Sequence, residues 1–209
     1  MKKMIIIVML LASVFSYTQT VFDRQLTVNI QKVHAVKTIA ELETLFTDFS
    51  NLTTKLDKNT HWMTYYYAGF SAYQQAVLMK KQNPNTNVNT FLGLAYKYAN
   101  SAKFNQENAE TFVLVGLIEL AILENGKVFT KNIEESIKNY LRQAELLEPK
   151  NLRVLLLKAK VAKAFPTEYQ DAKIQIQSVL QEAKRKNSMK KGDIPTWGKM
   201  EIDIVLSQL

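Results

Sequence analysis

The chain reads as an all-α protein, about eight or nine helices paired into antiparallel hairpins stacked side by side. Three observations predict it. Six glycines and four prolines stand in 209 residues, less than half of the roughly 12% those two types usually contribute, so long uninterrupted elements are expected. Apolar residues return at gaps of three and four along most of the chain. No segment keeps a strand-like alternation. The one competing place, Thr27-Val28-Asn29-Ile30 within residues 20–37, is assigned to a first helix.

The elements follow in order. Between Thr38 and Leu56, Ile39, Leu42, Leu45, Phe46, Phe49, Leu52 and Leu56 form one amphipathic stripe. Thr60 is placed to cap a helix from His61 to about Lys81, which ends ahead of Pro84. A segment from about Val88 to Phe104 carries Phe91, Leu92, Ala95, Tyr98, Ala99 and Ala102, and Asn105 to Asn108 make a turn. Glu110 to Leu123 form an almost wholly apolar helix, stopped by Asn125-Gly126. Asn132 caps a helix to Leu147, which Pro149-Lys150-Asn151 breaks. Leu152 to Phe165 and Glu168 to about Lys186 come next, separated by Pro166. The polar stretch Asn187 to Asp193 leads to a last helix from Pro195 to Leu209. That helix is expected to cap the stack with Ile202, Ile204, Val205 and Leu209, with Trp197 anchoring its start.

The spacing of large and small residues sharpens the hairpin reading. In the tetratricopeptide pattern a large residue and a small one four places on open the first helix, and an alanine and a proline close the second. Tyr65 with Gly69, Phe112 with Gly116, and Leu155 with Ala159 fit the first rule, and Ala144 with Pro149 fits the second. The small residue is needed where two helices cross closely. The unit from Ala109 to Asn151 exceeds the usual length of about 34 residues, and the surplus is placed in the loop Glu124 to Lys131. The stretches Trp62 to Ala68, Asn108 to Val113, Ala144 to Leu152 and Pro195-Thr196-Trp197-Gly198-Lys199 occur in this order and spacing. In them the chain resembles the exported bacterial tetratricopeptide-repeat-like proteins of about this size. The resemblance covers roughly residues 38–209. It implies an α-solenoid of helical hairpins and no catalysis, that family being largely without assigned activity. Many relatives carry a Gly- and Lys-rich turn where this chain has only Pro166-Thr167.

The N-terminus is laid out as a secretory signal peptide. Lys2 and Lys3 precede an apolar run from Met4 to Ala12, extended by Val14 and Phe15. Cleavage is expected after Ser16 or Thr18, leaving residues 19–209 as a single domain. The competing assignment is an N-terminal core helix. The run is shorter than the ~20 residues that span a membrane. The expected location is therefore exported, periplasmic or secreted, with no transmembrane segment in the mature chain. The formal charge of +8 is unevenly placed. Residues 107–148 hold eight acids and four bases, whereas residues 150–191 hold eleven bases and three acids.

Chemistry is sparse. Without cysteine there are no disulfides, thiolate metal sites or cysteine nucleophiles. The two histidines, His34 and His61, are not at ligand spacing. No nucleophile elbow, dinucleotide fingerprint or calcium loop is present. Glu134-Glu135 sit in a helix first turn, where acids favour the dipole. No cofactor, metal or nucleic-acid partner is expected. A groove is the expected site. Tyr66, Phe70 and Tyr73, at i, i+4 and i+7, are expected to form one wall of it, ordinary core packing being the alternative. Arg153, Lys160 and Lys163 lie within about 80° of one another on their helix. They are candidates to hold a carboxylate or phosphate on the same concave face, against the commoner meaning of a solvated lysine face.

The function expected is a non-enzymatic scaffold that binds a protein or peptide on its concave face. The alternatives are a binder of an anionic small molecule or envelope glycan, and a cell-envelope enzyme with an unrecognised site. A long open groove separates the first from a closed pocket of ~300 Å³ or more, and from converging polar groups with displaced pKa values. It also matters whether residues 20–37 plug the groove.

Overall fold

The computed structural model describes residues 21–33, 35–55, 58–126 and 131–166, together with Gln181, Trp197, Gly198 and Ile202. The described residues form seven helices and no strand. They are α1 (21–33), α2 (Ile39–Leu52), α3 (Lys58–Gln82), α4 (Asn89–Asn105), α5 (Ala109–Gly126), α6 (Lys131–Leu147) and α7 (Leu152–Ala164). The expected signal peptide at residues 1–18, His34, the helix from Glu168 to about Lys186, and Ile204, Val205 and Leu209 of the cap lie outside the described residues.

Local chemistry sets the helix starts. Thr38 and Glu41 form a reciprocal capping box on α2: the Glu41 amide donates to Thr38 Oγ1 at 3.2 Å and the Thr38 amide donates to Glu41 Oε2 at 3.1 Å. Hydrogen bonds from the Thr38 hydroxyl first, then from the Lys37 and Thr38 amides, hold the Glu41 carboxyl below its usual value. Asn108 and Thr111 do the same for α5, with the Thr111 amide on Asn108 Oδ1 at 2.9 Å and the Asn108 amide on Thr111 Oγ1 at 3.2 Å. Asn151 caps α7 by accepting from the Arg153 amide at 2.8 Å. Two expected caps move. α3 begins at Lys58 and α6 at Lys131, so Thr60 and Asn132 fall inside their helices. α5 runs on to Gly126, so it takes up the first half of the loop expected from Glu124 to Lys131.

The apolar stripes pack as their periods require. Leu26, Ile30 and Val33 of α1 and Leu42, Leu45, Phe49 and Leu52 of α2 are buried. Each helix from α2 onward packs on the next, and α5 also touches α3 and α7. α5 is the centre of the core: every residue from Ala109 to Leu120 is buried. The two helix-internal small residues do different work. A Cβ on Gly69 would stand 2.9 Å from the Ala99 amide nitrogen and 3.1 Å from the Ala95 carbonyl, so α3 and α4 meet backbone to backbone. Ala95, Ala99 and Ala102 keep that approach open. A Cβ on Gly116 would instead meet the Leu157 side chain of α7 at 2.9 Å. The crossing expected within a hairpin is found at Gly69, and at Gly116 the close neighbour is α7, one helix beyond the hairpin partner α6.

Candidate functional site

The face expected to be an open groove is filled. Tyr66, Phe70 and Tyr73 are 0%, 2% and 6% exposed, so the expected aromatic wall is core. The cause is tertiary: α2 and α4 cover α3 on two sides, α5 touches it, and Trp197 lies against its aromatic residues. The Trp197 ring stacks on Phe70 at 4.7 Å between centroids, and its Nε1–H donates to the Tyr66 hydroxyl at 2.7 Å. The filling residue therefore comes from the C-terminal end, whereas the question posed by the sequence was whether residues 20–37 plug the face.

Arg153 is equally committed. Its Nε donates to Glu110 Oε2 and its Nη2 to Oε1, both at 2.6 Å, while Nη1 donates to the Trp197 carbonyl at 2.9 Å. Asn151 Nδ2 donates to Glu110 Oε1 at 2.7 Å, and the Tyr66 hydroxyl reaches Oε2 at 3.5 Å. Bidentate guanidinium–carboxylate pairing of this kind is strong and directional. Burial works against the Arg153 charge, but the Glu110 hydrogen bonds and charge outweigh it and raise its pKa. Burial, with Glu110 next, pushes the Tyr66 hydroxyl well above its usual value. Gly198 explains the Trp-Gly pair: its φ is +121°, and a Cβ there would stand 3.2 Å from Arg153 Cγ. The Ile202 amide donates to the Gly198 carbonyl at 3.0 Å, and Ile202 is fully buried.

The expected trio of cations is thereby divided. Arg153 is 8% exposed and paired with Glu110. Lys160 is half-buried and Lys163 is exposed in the last turn of α7. The arrangement does not bring the three together as an anion site.

Two other places carry unspent chemistry. At the end of α4 an open cleft of about 710 Å³ is lined by Tyr65, Asn100, Ser101, Lys103, Phe104, Asn105 and Glu107. Phe104 is 91% exposed there. Farther along α4, the Tyr96 hydroxyl donates to Glu119 Oε1 of α5 at 3.3 Å. Glu119 is 8% exposed, and its Oε2 has no hydrogen-bond partner. Burial raises its pKa, while Ser136, Tyr96 and the Lys103 charge pull it back. Lys103 Nζ donates to the Tyr140 hydroxyl of α6 at 3.1 Å and lies 4.8 Å from that ring's centroid.

Protein-family models, curated proteins and solved structures offer no match to this chain. Among the described residues no group of three His, Asp or Glu side chains is placed to hold a metal ion, and no helix is long and apolar enough to cross a membrane. Sequence reasoning missed Glu110, Glu119, Trp197 and Phe104 as partners or surface features. Glu119 had left a signal, as a lone charge inside an otherwise apolar helix. Phe104 left none, because exposure at a helix end is not written in periodicity.

Proposed function

We propose that the protein is an exported, non-enzymatic scaffold of tetratricopeptide-repeat-like hairpins, an α-solenoid, that binds a polypeptide partner. The partner surface in this reading is the cleft at the end of α4, in place of the face that Trp197 fills. The contact order supports the hairpin stack, since α3, α5 and α7 touch in series with α4 and α6 between them in sequence. The observation that carries the binding assignment is Phe104, a phenyl ring 91% exposed on the rim of an open, mixed-polarity cleft. An aromatic ring flanked by amides, a lysine and a glutamate has the make-up of an interface hot spot. An anionic small molecule is poorly served, because the Arg153 charge is neutralised by Glu110.

Panning the purified protein against a random peptide display library tests this. Convergent peptide sequences should emerge, and Phe104→Ala should weaken their binding at least about tenfold, as for a hot-spot residue. A library without binders, or binders indifferent to Phe104→Ala, overturns the assignment.

A further inference from the structure

α4 and α6 do not pack on each other; they stand on either side of α5, and side chains bridge the gap between them. Its floor is Glu119, its walls are Tyr96 of α4 with Ser136 and Tyr140 of α6, and Lys103 lies across it. Lys103 also lines the open cleft, so one side chain borders both. We infer that this gap receives an arginine or lysine side chain of the polypeptide partner, with Glu119 as its counter-charge. The inference rests on the proposed polypeptide-binding function and names the kind of residue that anchors the partner.

Three independent features carry it. A buried carboxylate normally has both oxygens hydrogen-bonded, yet Glu119 is served only by neutral hydroxyls: Oε1 accepts from Tyr96, the Ser136 hydroxyl also favours the charged form, and Oε2 has no well-formed hydrogen bond of its own. Anionic acceptors bind charged donors most strongly, so a guanidinium or ammonium completes this group best. The walls are aromatic, and the chain already places a cation on one of them: the Lys103 ammonium sits 4.8 Å from the Tyr140 ring centroid, a favourable cation–π distance. The segment that builds α5 and α6, residues 107–148, has the matching net sign, with eight acids and four bases. Lys103 acts as the resident cation, which the incoming one displaces towards solvent.

The probe is an acetylated, amidated pentapeptide Gly-Gly-X-Gly-Gly, with X as arginine, lysine, citrulline or glutamate, titrated into the full chain by NMR at pH 7. Citrulline keeps the shape of arginine without its charge. The arginine and lysine peptides should bind at least tenfold more tightly than the citrulline and glutamate peptides. Glu119→Gln, close in shape and still able to accept from Tyr96, should abolish that preference. Lys103→Ala should move the other way and strengthen arginine-peptide binding at least threefold, a gain that a purely structural Glu119 would not produce. If Glu119→Gln does not fold, the Lys103→Ala titration decides alone. Equal binding of arginine and citrulline peptides, an unchanged preference in Glu119→Gln, or weaker binding in Lys103→Ala overturns the inference. Display peptides that depend on Phe104 but carry no basic residue overturn it while leaving the proposed function standing. Arginine-peptide binding without any Phe104-dependent display peptide does the reverse.

Discussion

α5 carries two buried glutamates nine residues apart, about 180° around the helix, and they live in opposite circumstances. Glu110 faces α7 and the C-terminal Trp-Gly pair. Both its oxygens are met: by two nitrogens of Arg153, by Asn151 and by Tyr66. Glu119 faces the gap between α4 and α6. One oxygen is met by Tyr96 at a longer 3.3 Å, and the other has no well-formed hydrogen bond, the Ser136 hydroxyl being the one other group that favours its charge. A buried charge with every lone pair answered fixes neighbouring elements in one arrangement. A half-answered one keeps chemical capacity in reserve. The two sides of one helix thus separate a structural lock from a surface able to receive something.

The largest expected effect lies on the locked side. Arg153→Met strands the Glu110 carboxylate and should destabilise the protein by about 3–5 kcal/mol, the cost of leaving one buried ion unpaired. Trp197→Ala should cost about as much, from lost packing on Phe70 and a stranded Tyr66 hydroxyl. Urea denaturation of each variant measures both. If either change leaves the midpoint where it was, Trp197 does not lock the inner face and the contrast collapses.

Next in size is Gly69→Ala. The new methyl meets α4 backbone, which cannot turn aside as a side chain can, so a loss of about 1–3 kcal/mol is expected. Gly116→Ala meets the Leu157 side-chain end and should lose less. Reversal of that order in thermal melts would show that α3 and α4 do not meet backbone to backbone.

On the receptive side the effects on folding should be small and pH-dependent. Burial holds the Glu119 carboxyl above its ordinary value. As pH rises from that ordinary value through the raised one, the native chain holds more protons than the unfolded chain, so stability falls with rising pH. Glu119→Gln should flatten that slope and leave the protein at pH 7 as stable as before, or more stable by up to ~1 kcal/mol. A steeper slope in the variant would contradict the assignment. Smallest of all, Phe104→Ser should change stability by less than ~0.5 kcal/mol. Its ring is 91% exposed, so the loss should be in binding alone.

The helices were legible because helix formation is local. The stripe of α2, the Asn-Gly stop of α5 and the break at Pro149 each act within a turn or two of the residues that cause them. The aromatic residues of α3 were harder. The aromatic stretch of α3, covered by α2, α4, α5 and Trp197, has no exposed residue between Thr60 and Tyr73, so its aromatic residues repeat with the same period whether they line a groove or fill a core. Arg153 illustrates the same limit from the polar side. Its position beside Lys160 and Lys163 on one face is a property of α7 alone, whereas its partners, Glu110 and Trp197, stand 43 and 44 residues away.

The amino-acid sequence by itself determined that this chain is helical, where most of its helices begin and end, and that Gly69 sits at a close crossing. Those facts follow from backbone propensity, caps and a 3.6-residue period, all of which are short-range. Only the tertiary structure decided which surface is closed and which is open. That depended on Trp197 reaching Phe70 and Tyr66, on Arg153 taking both oxygens of Glu110, and on α4 and α6 standing apart over Glu119. Such pairings are long-range, and burial is a property of everything that packs around a residue, not of the residue.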